Sequence, residues 1–267
     1  RLEGYEMQGW SSILKRFLTG VNNLQKNAFK EVDKTGRLPI TASLLVSIRG
    51  ALFSLQWSQY KKKAFWAVLA ALFWGSLRAN EILCQEATTF NISQSFLESD
   101  IRVDNRGIVL WLRDTKAGPA AGDVVELHPC RTIQLVDPIE AIAEYWQCRN
   151  NTFGSDMVAL PRRPFFVQEN GNNMTRAVFT KDLRAAIAAV PGFTEKDALL
   201  YGGHSARAGL PSLVQEMHLD EDVYKKFGRW SSSAYQSYLK DQEALRKGRE
   251  AVAMRCQSLA WAITASE

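Results

Sequence analysis

Between Ser11 and Phe29 the apolar residues Ile13, Leu14, Phe17, Leu18, Val21 and Leu24 recur at steps of three and four, the period of one helix face. Gly36 and Pro39 break the pattern, so a linker is expected near residues 33–40. Thr41 then offers a side-chain oxygen as N-cap for a second helix reaching about Gln56. A third, from about Gln59 to Trp74, is nearly apolar once Lys61, Lys62 and Lys63 are passed, which suits a helix buried in a core. Gly75 should end it, and a short polar helix should begin near Arg78.

The period changes over residues 99–128. Ile101 and Val103, then Ile108, Leu110 and Leu112, then Val125 and Leu127 alternate around Gly107 and a Gly118–Gly122 turn, which predicts a small antiparallel sheet. Asp137-Pro138-Ile139-Glu140 combines an N-cap, a proline at the first helical position and a capping glutamate, so a helix should run from there to about Cys148. A loop rich in Asn, Pro and Gly covers 150–174, with a short strand expected at Phe165–Val167, and a helix follows from about Lys181 to Val190. From His204 onward the pattern is helical, with a restart or kink expected where Pro211 falls, and the tail from Asp241 to Ile263 keeps the helical period. The expected class is α+β, predominantly α-helical with a small antiparallel sheet.

At 267 residues the chain can bury one large core and carry a fragment of a second domain. Cys84, Cys130, Cys148 and Cys256 form no C-x-x-C pair and read as reduced, intracellular thiols. The longest apolar run, Ala64–Gly75, is far short of the ~20 residues needed to cross a bilayer, and no cationic leader precedes it, so no membrane association is expected. Charge is distributed unevenly: residues 1–63 hold 11 of the 33 Lys and Arg but only 4 of the 28 Asp and Glu. That basic excess suits a surface that tracks phosphates, and equally a solvated helical surface.

The residues with chemical potential lie elsewhere. Gly203-His204-Ser205-Ala206-Arg207 sets an imidazole and a guanidinium three apart, on one face of a helix, where both can address the same phosphate. Phe227-Gly228-Arg229-Trp230 follows, then Tyr235 and Tyr238. Upstream, Leu77-Arg78-Ala79-Asn80-Glu81-Ile82-Leu83 opens the short polar helix, and Asp114-Thr115-Lys116-Ala117-Gly118 ends a strand. In this order the set resembles the signature of tyrosine recombinases, the phage-integrase family, from residue 37 to about 240. Gly228-Arg229-Trp230 points within it to eukaryotic transposon enzymes of the Crypton or DIRS type.

The resemblance implies the catalytic fold of DNA breaking-rejoining enzymes and a site-specific recombinase or transposase that needs no metal, cofactor or ATP. Arg78 and Arg207, protonated at any working pH, would clamp the non-bridging phosphate oxygens. Tyr238 would attack phosphorus to leave a 3′-phosphotyrosine, with Tyr235 as the alternative nucleophile. Lys116 would protonate the leaving 5′ oxygen, while His204 hydrogen-bonds the phosphate or exchanges the tyrosine proton. Trp230 would donate its indole N–H, and Glu81 would orient its neighbours. Lys61, Lys62, Lys63 and Arg229 are candidate DNA contacts.

Residues 1–36 then read as the remnant of an N-terminal DNA-clamping domain with its linker, and 37–267 as the catalytic domain with a C-terminal packing helix. That helix would pack on its own domain or on a neighbouring protomer. The expected partners are double-stranded DNA and further copies of the chain, as a dimer or tetramer on DNA. The location would be nuclear in a eukaryote, otherwise cytoplasmic or nucleoid. Two rivals share these residues: a catalytically silent DNA-binding protein derived from a transposon recombinase, and a type IB topoisomerase. A metal-dependent nuclease is disfavoured because His128, His204 and His218 form no H-x-x-x-H or carboxylate cluster.

Overall fold

The structure, a computed structural model, describes residues 38–104, 107–113, 123–130, 134–154 and 163–216. The first helix, α1 (Ala42–Ser54), starts where expected because the Thr41 hydroxyl accepts the Leu44 N–H at 3.2 Å. The linker ends earlier than the sequence predicts. Leu38 N–H donates to the Leu200 carbonyl and Ile40 N–H to that of Ser205, both at 2.9 Å, so residues 38–40 belong to the folded unit. Ile40 is wholly buried.

Helix α2 (Gln59–Trp74) is the axis of the core. Ser58 caps its start, Gly75 its end, and every side chain from Ala64 to Phe73 is buried. Burying such a run removes enough apolar surface to dominate local stability, at about 25 cal/mol per Å². A short helix α3 (Ala79–Ile82) follows one turn later.

The sheet has the order β1-β2-β3, with β1 (Ile101–Val103), β2 (Ile108–Leu112) and β3 (Asp123–Leu127) antiparallel. Ile101 faces Leu110, which faces Val125, and Ile108 faces Leu127, so one pleat face enters the core. Trp111 and Val124 pair on the outer face and stay exposed. A 3₁₀ turn at Glu98–Asp100 is tied to the end of β2 by Asp100, whose two carboxylate oxygens each accept from Arg113 at 2.6 Å. This bidentate pair holds the Arg113 pKa above its ordinary value.

Helix α4 (Pro138–Phe153) packs most extensively on α2. The Asp137 carboxylate accepts the N–H groups of Ile139, Glu140 and Cys130, which fixes the entry angle. The helix runs past the expected Cys148 because Phe153 still finds a buried partner, the Tyr60 ring 5.7 Å away, and Gly154 at φ 65° then ends it. The segment Phe165–Val167 is not the strand its apolar run suggests. Single bridges join Leu97 to Pro164 and Val167 to Asn173, and the buried Tyr145 hydroxyl takes the Val167 N–H and donates to the Phe165 carbonyl, both at 2.9 Å. One phenol replaces a ladder partner.

Helix α5 (Arg176–Ala188) begins more than a turn before the expected Lys181, because Thr175 caps it through the Val178 N–H. A one-turn helix α6 (Glu195–Ala198), built on a Thr194–Asp197 capping box, was not apparent from the sequence pattern. Helix α7 (Gly203–Arg207) breaks at Ala208 and α8 (Gly209–Glu216) restarts at once. The restart puts Pro211 in a first turn, where its missing N–H costs nothing. Both helices, with α5, lie against α2. Among the described residues no helix is long and apolar enough to cross a membrane.

Candidate active site

The candidate site lies where the turn after α2 meets α7. Gly75 closes α2, Ser76 reverses the chain at φ 48°, and Leu77 is buried, with its N–H on the Leu72 carbonyl at 3.0 Å. Arg78 is thereby delivered as the N-cap of α3. Glu81, in the first turn, reaches back so that its Oε2 accepts the Arg78 backbone N–H at 2.7 Å and its Oε1 the Arg78 Nη1 at 2.9 Å.

Arg207 arrives from α7. Its Nη1 lies 3.9 Å from Glu81 Oε2 and donates to the Ser76 carbonyl at 2.7 Å. Two guanidiniums therefore share one carboxylate, and the trio keeps a formal positive charge. Glu81 is 3% exposed and Arg207 1%, whereas the Arg78 side chain is 32% exposed. The charge presented to an incoming anion is thus that of Arg78, backed by a second cation in surroundings of low dielectric. Contact between Arg207 itself and a phosphate requires that Arg207 be uncovered.

His204 and Arg207 do not share an environment. His204, at the start of α7, is exposed, while Arg207 turns inward beneath Ser76. Spacing put both on one side of a helix, but α7 is only five residues long and its last turn is buried. Gly203 sets how closely the helix approaches: a Cβ there would lie 3.0 Å from that of Ala79, so α7 starts in contact with the helix that follows Arg78.

Of the residues singled out from sequence, the structure brings Arg78, Glu81 and Arg207 together and sets His204 one turn from Arg207. Lys61 is engaged within the fold: its ammonium lies 2.8 Å from the buried Asp182 and 4.3 Å from the centre of the Trp57 ring. Lys62 and Lys63 are half-buried. Lys116, Arg229, Trp230, Tyr235 and Tyr238 lie outside the described residues.

Sequence reasoning missed a basic groove of about 690 Å³ lined by Asn80, Cys84, Arg176, Thr180, Lys181 and Arg184. Asn80 belongs to α3, so the groove runs up to the Arg78 helix. Arg176, Thr180 and Arg184 follow at steps of four on one face of α5, a stripe that vanishes if that helix is started at Lys181. Arg184 Nε also donates to the Tyr201 carbonyl at 3.2 Å, just ahead of α7. Burial raises the Cys84 pKa, with a hydrogen bond to Ser95 only partly opposing it, so this side chain lines the groove as a neutral thiol.

No protein-family model matches the chain, and no curated protein matches it in sequence. Solved structures do match. The fold is the catalytic fold of tyrosine recombinases. The XerH site-specific recombinase bound to its difH substrate before cleavage superposes with a TM-score of 0.54 at 15% identity, over 80% of this chain and 54% of that one. The post-cleavage XerH complex with palindromic difH gives 0.54 at 14% identity, over 79% of this chain and 51% of that one. The Tn1549 transposon integrase in complex with transposon right-end DNA gives 0.50 at 15% identity, over 81% and 66%. The chain thus spans about half to two thirds of the proteins it resembles.

Proposed function

We propose that this chain cleaves and rejoins DNA as a site-specific tyrosine recombinase or integrase, through a 3′-phosphotyrosine and without metal or ATP. The observation that carries the reading is the Arg78–Glu81–Arg207 cluster: two guanidiniums, distant in sequence, are held by one buried carboxylate within the fold of such enzymes. In the reaction the Tyr238 phenolic oxygen bonds to phosphorus as the P–O5′ bond breaks. Negative charge gathers on the non-bridging oxygens, where Arg78 and, once uncovered, Arg207 stabilise it. Lys116 protonates the departing 5′ oxygen, His204 takes the proton that the Tyr238 phenol gives up or hydrogen-bonds the phosphate, Trp230 donates its indole N–H to the phosphate, and the stored phosphodiester energy allows a 5′ hydroxyl to reverse the step.

The groove that reaches Asn80 supports a DNA substrate, because Arg176, Lys181 and Arg184 line it with cations that can neutralise phosphates. In this reading residues 1–36 belong to a DNA-clamping domain and 37–267 to the catalytic domain, which acts as a dimer or tetramer on DNA. The Gly228-Arg229-Trp230 context favours kinship with eukaryotic transposon recombinases of the Crypton or DIRS type, and with it a nuclear location.

The test is incubation with nicked suicide DNA substrates of candidate transposon-end sequence, in EDTA, followed by denaturing gels. A protein–DNA adduct that is lost in Tyr238→Phe and kept in Tyr235→Phe is the expected result. Measurable DNA binding with no adduct would overturn the enzymatic reading in favour of a silent DNA-binding protein.

A further inference from the structure

Ser76 is the only non-glycine residue among those described with a positive φ, 48°. Glycine enters that conformation freely, whereas an L side chain meets its own backbone. The residue is fully buried; its N–H donates to the Phe73 carbonyl, and its other two polar groups address Arg207. Its hydroxyl donates to the Arg207 carbonyl at 2.9 Å, and its carbonyl accepts from Arg207 Nη1 at 2.7 Å. One residue thus holds both ends of the other.

Each bond has a local reason. In a continuous helix the Arg207 carbonyl would receive the N–H of the residue four further on, but that residue is Pro211, which has none. The Ser76 hydroxyl supplies a donor that proline cannot. The left-handed turn, for its part, aims the Ser76 carbonyl at the guanidinium rather than along α3. A glycine would make the same turn without strain and leave the Arg207 carbonyl without this hydroxyl, so strain is retained where a side chain has work to do.

We infer that Ser76 is a positioning residue, which fixes the guanidinium of Arg207 against Glu81 and Arg78 by clasping Arg207 at its carbonyl and at Nη1. The inference rests on the reading of Arg207 as a phosphate-binding group, and deepens it: on DNA binding the cover over Arg207 moves away while the guanidinium stays where Ser76 holds it.

Ser76→Gly keeps the turn and removes the hydroxyl, and two measurements read the result. In arginine-labelled ¹⁵N NMR, the guanidinium signal that Arg207→Lys abolishes should exchange with solvent about tenfold faster in Ser76→Gly. In single-turnover adduct formation at saturating DNA, Ser76→Gly should be about tenfold slower while the Kd for DNA stays within about twofold. The double variant should be no slower than Arg207→Lys alone, because a positioning effect has nothing left to position. Unchanged guanidinium exchange, or a slowing that multiplies onto Arg207→Lys, would overturn the inference and leave Ser76 merely structural. If Ser76→Gly does not fold, Ser76→Ala, which keeps a side chain at the strained turn, is read in its place. Should the wild-type chain form no adduct, the recombinase reading falls, while the exchange measurement still decides whether Ser76 positions Arg207.

Discussion

Glu81→Gln removes the charge at the centre of the candidate site while preserving the side chain's shape and one of the two acceptors that Arg78 uses. At the observed 3.9 Å and an effective dielectric of ~20, the attraction between Arg207 and Glu81 is about 4 kcal/mol. The Arg78 pair adds less than 1 kcal/mol, roughly, because 32% of that side chain faces solvent and screening discounts it. Against this, glutamine is spared the desolvation of a buried carboxylate, and the Ser76 carbonyl still accepts from Arg207. A net loss of about 3 kcal/mol is therefore expected, at the lower edge of what removing one partner of a buried pair costs. For a domain of this size it lowers Tm by about 6–12 °C. Urea unfolding followed by tryptophan fluorescence measures it directly. A loss below about 1 kcal/mol at unchanged m-value would refute the reasoning, because the buried Arg207 charge would then be compensated by something other than Glu81.

Gly209→Ala should be severely destabilising, by more than about 3 kcal/mol, since its Cβ would lie 2.2 Å from the Phe73 ring and 2.6 Å from the Ile40 carbonyl. Gly154→Ala, with open space around it but φ 65° and ψ −164°, a region essentially reserved for glycine, should lose about 1–3 kcal/mol to backbone strain alone, and a loss in thermal melts as large as that of Gly209→Ala would count against packing as the cause there. Arg149 is wholly buried, with Nη1 3.0 Å from Glu98 while Nε and Nη2 find no hydrogen-bond partner among the described residues, so Arg149→Met alone should cost about 3 kcal/mol and added Glu98→Gln should restore most of it. Simple additivity in that double-mutant cycle would contradict this. Burial pushes the Tyr145 phenol up to about 12, so the folded state holds a proton that the unfolded chain releases near 10. Stability is then intact below pH 10 and falls as pH rises from about 10 to 12, and Tyr145→Phe should flatten this decline in alkaline denaturation curves. Tyr60 and Tyr201, raised by burial in the same direction, leave part of the slope in place.

Much of the fold was legible because its signals are local. Thr41, Ser58 and Asp137 cap helices through N–H groups within three residues of themselves. The apolar run of α2 and the alternation of the three strands state their burial directly. The same locality explains the misses. The start of α5 hid in a polar loop whose Thr175 looks like any other threonine. The apolar Phe165–Val167 resembled a strand because a run of three buried side chains carries no period, and its partner turned out to be the hydroxyl of Tyr145, twenty-odd residues away. Of the candidate site, the sequence alone determined which residue types stand in which order, including Lys116, Trp230 and Tyr238, which lie outside the described residues. Only the tertiary structure decided that Arg207 turns inward and His204 outward, that Lys61 is spent on Asp182, that Ser76 clasps Arg207, and that the Arg176–Arg184 stripe shares a groove with Asn80 of α3. These outcomes depend on which helices meet. A side chain's neighbours across a core are set by the joint packing of elements distant in the chain, and no window of a few residues contains that information.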